Sequence, residues 1–131
     1  MFVIRILVWF FLCILCSVYP AFSAQSKYSE AMYVDVWCRA HCGMQEFVNS
    51  DFTRVDCLTA HNAVEFDFAN KWAESIGQAL HYQLMTGKRA KVVLILERPE
   101  KQMVYFNRVK KLAEIYDFDV EYITPEIFCV N

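Results

Sequence analysis

RVDCLTAHNAVEFDFANKWAESIGQALHY, residues 54–82, carries two periodicities in succession. Val55, Cys57, Val64, Phe66 and Phe68 alternate with Arg54, Asp56, Glu65 and Asp67, the period of two that keeps one face of a strand apolar and the other polar. From Lys71 the period lengthens. Lys71, Glu74, Gln78 and Tyr82 recur at steps of three and four and share one face of a helix, while Trp72, Ile76, Ala79, Leu80 and Leu84 are expected to supply its apolar side. Asn70 stands where an N-cap belongs. The stretch therefore predicts a β-hairpin, with its turn at residues 59–62, running into a helix.

A four-residue turn sets the register: Asp56 faces Glu65, Arg54 faces Asp67 and Val55 faces Phe66. A slip of one residue would mix phenylalanine with aspartate on both faces, so the alternation itself favours this pairing. Like charges opposite each other weaken a ladder. Three carboxylates on one face therefore require a compensating cation, which Arg54 supplies only in part.

On the N-terminal side, residues 26–42 read as a helix with Ser29 or Ser26 as N-cap, an apolar stripe of Tyr33, Val34, Trp37 and Cys38, and Gly43 as its end. Residues 45–52 read as a strand that joins the hairpin in a meander, with Asn49 and Ser50 at its turn. On the C-terminal side Gly87 stops the central helix, and the unbroken apolar run of residues 92–96 suits a strand covered on both faces. Pro99 opens a third helix through Val104, Val109, Leu112 and Ile115, ending near Asp117, and residues 120–123 form a last strand closed by Pro125. The order αβββαβαβ predicts an α/β sandwich of three layers around a mixed central sheet.

Asp56, then Glu65-Phe66-Asp67, then Lys71 and Gln78-Ala79-Leu80-His81-Tyr82 resembles the active-site region of the PD-(D/E)xK nuclease-like superfamily. More closely, the wording is similar to that of small exported bacterial proteins with this fold, and the resemblance covers residues 28–124. It implies a restriction-endonuclease-like core. It also implies that Asp56 and Glu65 hold Mg²⁺ or Mn²⁺, ions that favour hard oxygen donors, with Asp67 as a further oxygen and Glu30 of the first helix beside the metal. The superfamily places its catalytic lysine two residues after the second acid. Asp67 stands there in this chain, and Lys71 is the candidate for a lysine relocated in space. Gln78 and Tyr82 match a glutamine-to-tyrosine spacing that several nuclease branches carry on this helix. The catalytic set implied is thus Lys71, Asp67, Gln78 and Tyr82.

The activity implied is metal-dependent hydrolysis of phosphodiesters in DNA or RNA, with a homodimer where both strands are cut. The departure at Asp67 keeps a second reading open, an envelope binding or interaction module that retains the nuclease fold without cleavage.

The 131 residues suffice for one domain. Residues 1–23 differ from the rest: Arg5 is their only charge, and an apolar run from Ile6 to Tyr19 precedes Pro20, Ala21, Phe22 and Ser23, the layout of a secretory signal peptide cleaved before Ala24. The run is short for a membrane span. A periplasmic or secreted domain of residues 24–131, without stable membrane association, is expected. Loss of Arg5 leaves 12 Lys and Arg against 15 Asp and Glu, a net charge of −3. That balance counts against a general polyanion binder unless the charge is segregated. Lys88, Arg89, Lys91, Arg98, Lys101, Arg108, Lys110 and Lys111 do crowd the later third, where they also suit a solvated helix face and a basic turn. Cys38, Cys42, Cys57 and Cys129 remain after cleavage, and an oxidising compartment favours disulfides among them. Cys38 and Cys42, four apart on a helix, are poorly placed to join each other, whereas a bridge from either to Cys57 fits the packing of the first helix on the hairpin. No paired CxxC spacing supports a zinc site at Cys38, His41, Cys42 and Cys57.

Overall fold

The computed structural model describes residues 26–129; the expected signal peptide lies outside the described residues. Helix α1 (Glu30–Ala40) is followed by strands β1 (Met44–Val48), β2 (Arg54–Leu58) and β3 (Asn62–Phe68), a 3₁₀ turn (Ala69–Lys71) and helix α2 (Trp72–Thr86). Strand β4 (Arg89–Ile95), helix α3 (Pro99–Tyr116), strand β5 (Asp119–Ile123) and a second 3₁₀ turn (Pro125–Phe128) complete the chain. The fold is α/β, built on a mixed sheet of five strands in the order β1-β2-β3-β4-β5.

Strands β1, β2 and β3 form an antiparallel meander, and β3, β4 and β5 run parallel. Parallel neighbours need long crossovers, which α2 and α3 provide. The run Val92 to Leu96 is wholly buried because helices cover both faces of β4. On one face Tyr33, Val34, Trp37 and Cys38 of α1 pack on Cys57, Val64, Phe66, Val93, Ile95 and Ile123. On the other, Ala79 of α2 with Val109 and Ala113 of α3 packs on Ala90, Val92, Leu94 and Leu96.

The hairpin turn forms where the alternation puts it. Thr59 N–H donates to the Asn62 carbonyl at 2.9 Å, and Asn62 N–H donates back to Thr59 Oγ1 at 2.9 Å. Cys57 opposes Val64 and Leu58 opposes Ala63, the expected register. Beyond Cys57 the ladder stops. Phe66 N–H bonds at 2.8 Å to the Asp56 side chain rather than to a strand carbonyl, and β2 separates from β3 to follow β1. Arg54 is carried away with it and pairs with Glu46 at 3.0 Å, so it does not face Asp67.

Two helix details also depart from expectation. Asn70 does not cap α2; it lies exposed in the 3₁₀ turn, and Lys71 takes the N-cap position without a side-chain cap bond. Leu80 and Leu84 are 38% and 79% exposed, because α2 turns Ser75, Ala79 and Tyr82 inward. Small side chains at Ser75 and Ala79 let the helix sit close to the sheet, which rotates the leucines outward. Helix α1 has Ser29, one of the two expected residues, at its N-cap, and so begins at Glu30 rather than at residue 26.

Cys38 and Cys57 are joined by a disulfide, with Cα atoms 5.8 Å apart, while Cys42 and Cys129 are exposed and unpaired. The bridge ties α1 to the hairpin and lies against Gly43. A Cβ on Gly43 would stand 2.3 Å from Cys57 Sγ and 2.7 Å from Cys38 Sγ, so only glycine fits there. No helix among the described residues is long and apolar enough to cross a membrane.

Candidate active site at the sheet fork

Where β2 leaves β3, four carboxylates gather. Asp56 sits on the departing strand, Glu65 and Asp67 alternate onto one face of β3, and Glu30 reaches in from the first turn of α1. Glu65 and Asp67 are 4% and 3% exposed and are the only buried carboxylates among the described residues. Charged side chains are almost never buried without a partner, which sets this pair apart from every other acidic residue in the fold.

The neighbours do not neutralise them. Lys71 is the one cation among the described residues that pairs with either of them, its Nζ 3.5 Å from Asp67 Oδ1, and its side chain is half exposed. The 3₁₀ turn after β3 brings it there by folding the chain back over the strand end. Glu65 Oε2 is buried with no hydrogen-bond partner among the described residues. Burial pushes the Glu65 carboxyl far up from its ordinary range, and the charges of Asp56, Asp67 and Glu30 push it further. Burial likewise raises Asp56, partly offset by the Phe66 N–H that its carboxylate accepts. Asp67 is raised by burial against the opposing pull of Lys71. Glu30 is pushed up to about 7, first by burial and then by Asp67 and Asp56. These are the signs of an acidic cluster short of positive charge.

Tyr82, buried on α2, is raised by burial and by the nearby charges of Glu65 and Asp56. Its hydroxyl is therefore held protonated at the fork. Gln78 lies half-buried one turn earlier on the same helix and makes no hydrogen bond among the described residues. The fork thus brings together Glu30, Asp56, Glu65, Asp67, Lys71 and Tyr82, with Gln78 adjacent. Glu74 is exposed and adds a distant negative charge to Asp67.

Glu46 was not legible as a member. It lies opposite Asp56 in the β1–β2 register, between the pairs Gln45–Cys57 and Phe47–Val55, close enough to raise it, and its φ is +53°. Such a backbone conformation is rare for a residue with a side chain, and nothing in the alternation of the strand announces it.

The donor set suits a hard divalent cation. Its atoms are carboxylate oxygens, one of them orphaned and buried. Among the described residues no three His, Cys, Asp or Glu side chains converge tightly enough to cage an ion unaided. Mg²⁺ is commonly held by only one or two carboxylates, with water and substrate phosphate filling the other positions, and Asp56 with Glu65 meets that requirement.

No known family model matches the chain, nor does any curated protein or solved structure.

Proposed function

We propose that the chain is an exported hydrolase of phosphodiesters in nucleic acid, dependent on Mg²⁺ or Mn²⁺ and of the PD-(D/E)xK type with its restriction-endonuclease-like core. The observation that carries this reading is the pair of buried carboxylates, Glu65 and Asp67, at a fork with one half-exposed lysine for compensation. The Cys38–Cys57 disulfide supports export, since such bridges persist in oxidising compartments.

Asp56 and Glu65 would hold the metal, and Glu30 and Asp67 would orient its water ligands. A metal so held supplies relief of charge on the phosphate and a more acidic bound water. Lys71 would place its ammonium against charge developing on the phosphoryl oxygens. Asp67, at 3.5 Å, holds that ammonium charged and in position. Tyr82, protonated beside Glu65, would donate its hydroxyl to a carboxylate or to a substrate oxygen.

The deciding experiment is a calorimetric Mn²⁺ titration of protein expressed from the full-length sequence, run beside Asp56→Ala and Glu65→Ala. Binding by the parent that both substitutions abolish supports the fork as a metal site. Lys71→Ala is then expected to retain Mn²⁺ binding while losing cleavage of mixed DNA and RNA substrates by roughly a hundredfold or more. Absence of heat at millimolar Mn²⁺, from folded protein, would favour a second reading: an envelope binding module in which Lys71 and Asp67 are simply an ion pair. The aspartate at the position where the superfamily has its strand lysine is what keeps that reading in view.

A further inference from the structure

Among the described residues the Lys and Arg side chains differ in their partners. Arg39, Arg54, Lys71, Arg89 and Lys91 are each paired with a carboxylate. The four cations of α3 are different: Lys101, Arg108, Lys110 and Lys111 take part in no salt bridge among the described residues. Three of them, Lys101, Arg108 and Lys111, share a stripe with Tyr105 at steps of four, three and three. Glu100 and Glu114 fall to one side of it.

Arg108 is held in an unusual way. Its guanidinium lies 5.6 Å from the Trp72 ring centre and 5.5 Å from that of Tyr105, so two aromatic rings take the place of a carboxylate. Ring contact of this kind orients the planar group and leaves its N–H fork unclaimed. Trp72 directly follows Lys71, and the 3₁₀ turn that positions Lys71 packs against α3. The stripe is therefore joined through one peptide unit to the residue that reaches Asp67.

We propose that Arg108, Trp72 and Tyr105, extended along α3 by Lys101 and Lys111, form a binding subsite for single-stranded nucleic acid beside the carboxylate fork. The inference rests on the reading of the fork as a phosphodiester site and names the substrate class. Planar cations and aromatic rings receive unstacked bases and the phosphates between them, which is how single strands are gripped without sequence preference. A duplex keeps its bases stacked inside and offers those rings nothing. The ten helical steps from Lys101 to Lys111 span about 15 Å, enough for a short run of phosphates. Lys27, Lys88 and Arg98 also stand outside the salt bridges, but four of the unpaired cations lie on this one helix, a segregation of charge that reconciles an acidic chain with a polyanionic substrate.

The test is fluorescence anisotropy with a labelled oligothymidylate of about 16 nucleotides in EDTA, compared with a duplex of equal length. The parent is expected to bind the single strand at least tenfold more tightly than the duplex. Arg108→Ala should lower single-strand affinity at least tenfold, and Arg108→Lys, which keeps the charge without the plane, should recover only part of it. Lys101→Ala and Lys111→Ala should each flatten the dependence of log affinity on log salt by about 0.7. Equal or tighter duplex binding, no binding by the parent, or Arg108→Ala binding as the parent does would overturn the subsite. Mn²⁺ titration of Arg108→Ala separates the two ideas: unchanged metal heat with unchanged oligonucleotide affinity removes the subsite and spares the fork. Oligonucleotide binding that depends on Arg108, in a protein that takes up no Mn²⁺, removes the hydrolase and leaves a single-strand binding protein.

Discussion

Removal of the Cys38–Cys57 bridge is expected to cost about 3 kcal/mol of stability, the entropy released when a loop of this length opens in the unfolded chain. The bridge spans a sequence separation of 19 and is the only disulfide among the described residues, a cross-link from α1 to β2. For a domain of this size, such a loss lowers the melting midpoint by roughly 12 °C or more. Paired melts with and without reductant, repeated on a Cys38→Ala/Cys57→Ala double variant that should not respond to reductant, measure it. Gly43→Ala tests the same contact from outside. Its Cβ would overlap both sulfurs, and the Leu58 carbonyl at 3.3 Å closes the remaining side, so this substitution is expected to destabilise the oxidised protein by about 1–3 kcal/mol. A midpoint that moves by less than a few degrees in both experiments would mean that the bridge merely decorates an interface already stable without it.

Glu65→Gln is expected to have the opposite sign and to stabilise the metal-free protein at neutral pH. The direction follows from linkage. A carboxyl whose pKa is raised on folding holds its proton longer in the native state than in the unfolded chain, so its contribution is fully present at low pH and is lost as pH rises through the folded value. For Glu30 that window runs from 4.5 to about 7, and Glu65 is raised in the same direction by burial and by Asp56. An amide at position 65 cannot ionise, so it removes the cost of keeping on folding a proton that the unfolded chain has already released. A gain of about 1–3 kcal/mol is expected. Melting midpoints of the parent and Glu65→Gln in EDTA should lie close together near pH 4.5 and diverge as pH rises toward 8. Groups displaced the other way do not interfere in this range: Asp51, held down to about 2 chiefly by the Thr53 hydroxyl, loses its contribution only as pH falls toward that value. A gap that is constant with pH, or a less stable variant at pH 8, would show that Glu65 is neutralised by some other route. Gain of stability on losing an acidic side chain is the usual mark of a group kept for function.

Much of this fold is visible in its periodicities. The turn at Thr59 and Asn62, the opposition of Cys57 and Val64, and the inward stripe of Tyr33, Val34, Trp37 and Cys38 all follow from local pattern. The alternation likewise puts Glu65 and Asp67 on one face of β3, whereas Asp56 joins them beyond the end of the β2–β3 ladder, held by the Phe66 N–H that it accepts. The departures have a common cause: they depend on where elements diverge or meet, which no local period encodes. Arg54 faces Glu46 because β2 separates from β3, and that separation turns on one aspartate side chain accepting a backbone N–H. Leu80 and Leu84 match an apolar face as well as Trp72 and Ile76 do, and only the close approach permitted by Ser75 and Ala79 chooses between them. Arg108 meets Trp72 across 36 positions of sequence, a meeting that requires α2 and α3 to lie on the same side of the sheet.

The fork also divides the domain mechanically. Two residue pairs join β2 to β3, against seven between β3 and β4. The β1–β2 hairpin is therefore paired to the parallel part of the sheet only at the end next to the Thr59–Asn62 turn, and is otherwise held by the disulfide to α1, by Phe47 and Val55 packed with Tyr82, and by Asp51 at its tip on His81. Regions so unequally attached can open without global unfolding. Reduction of the disulfide removes one of these anchors, and the outer hairpin is then expected to open before the centre gives way.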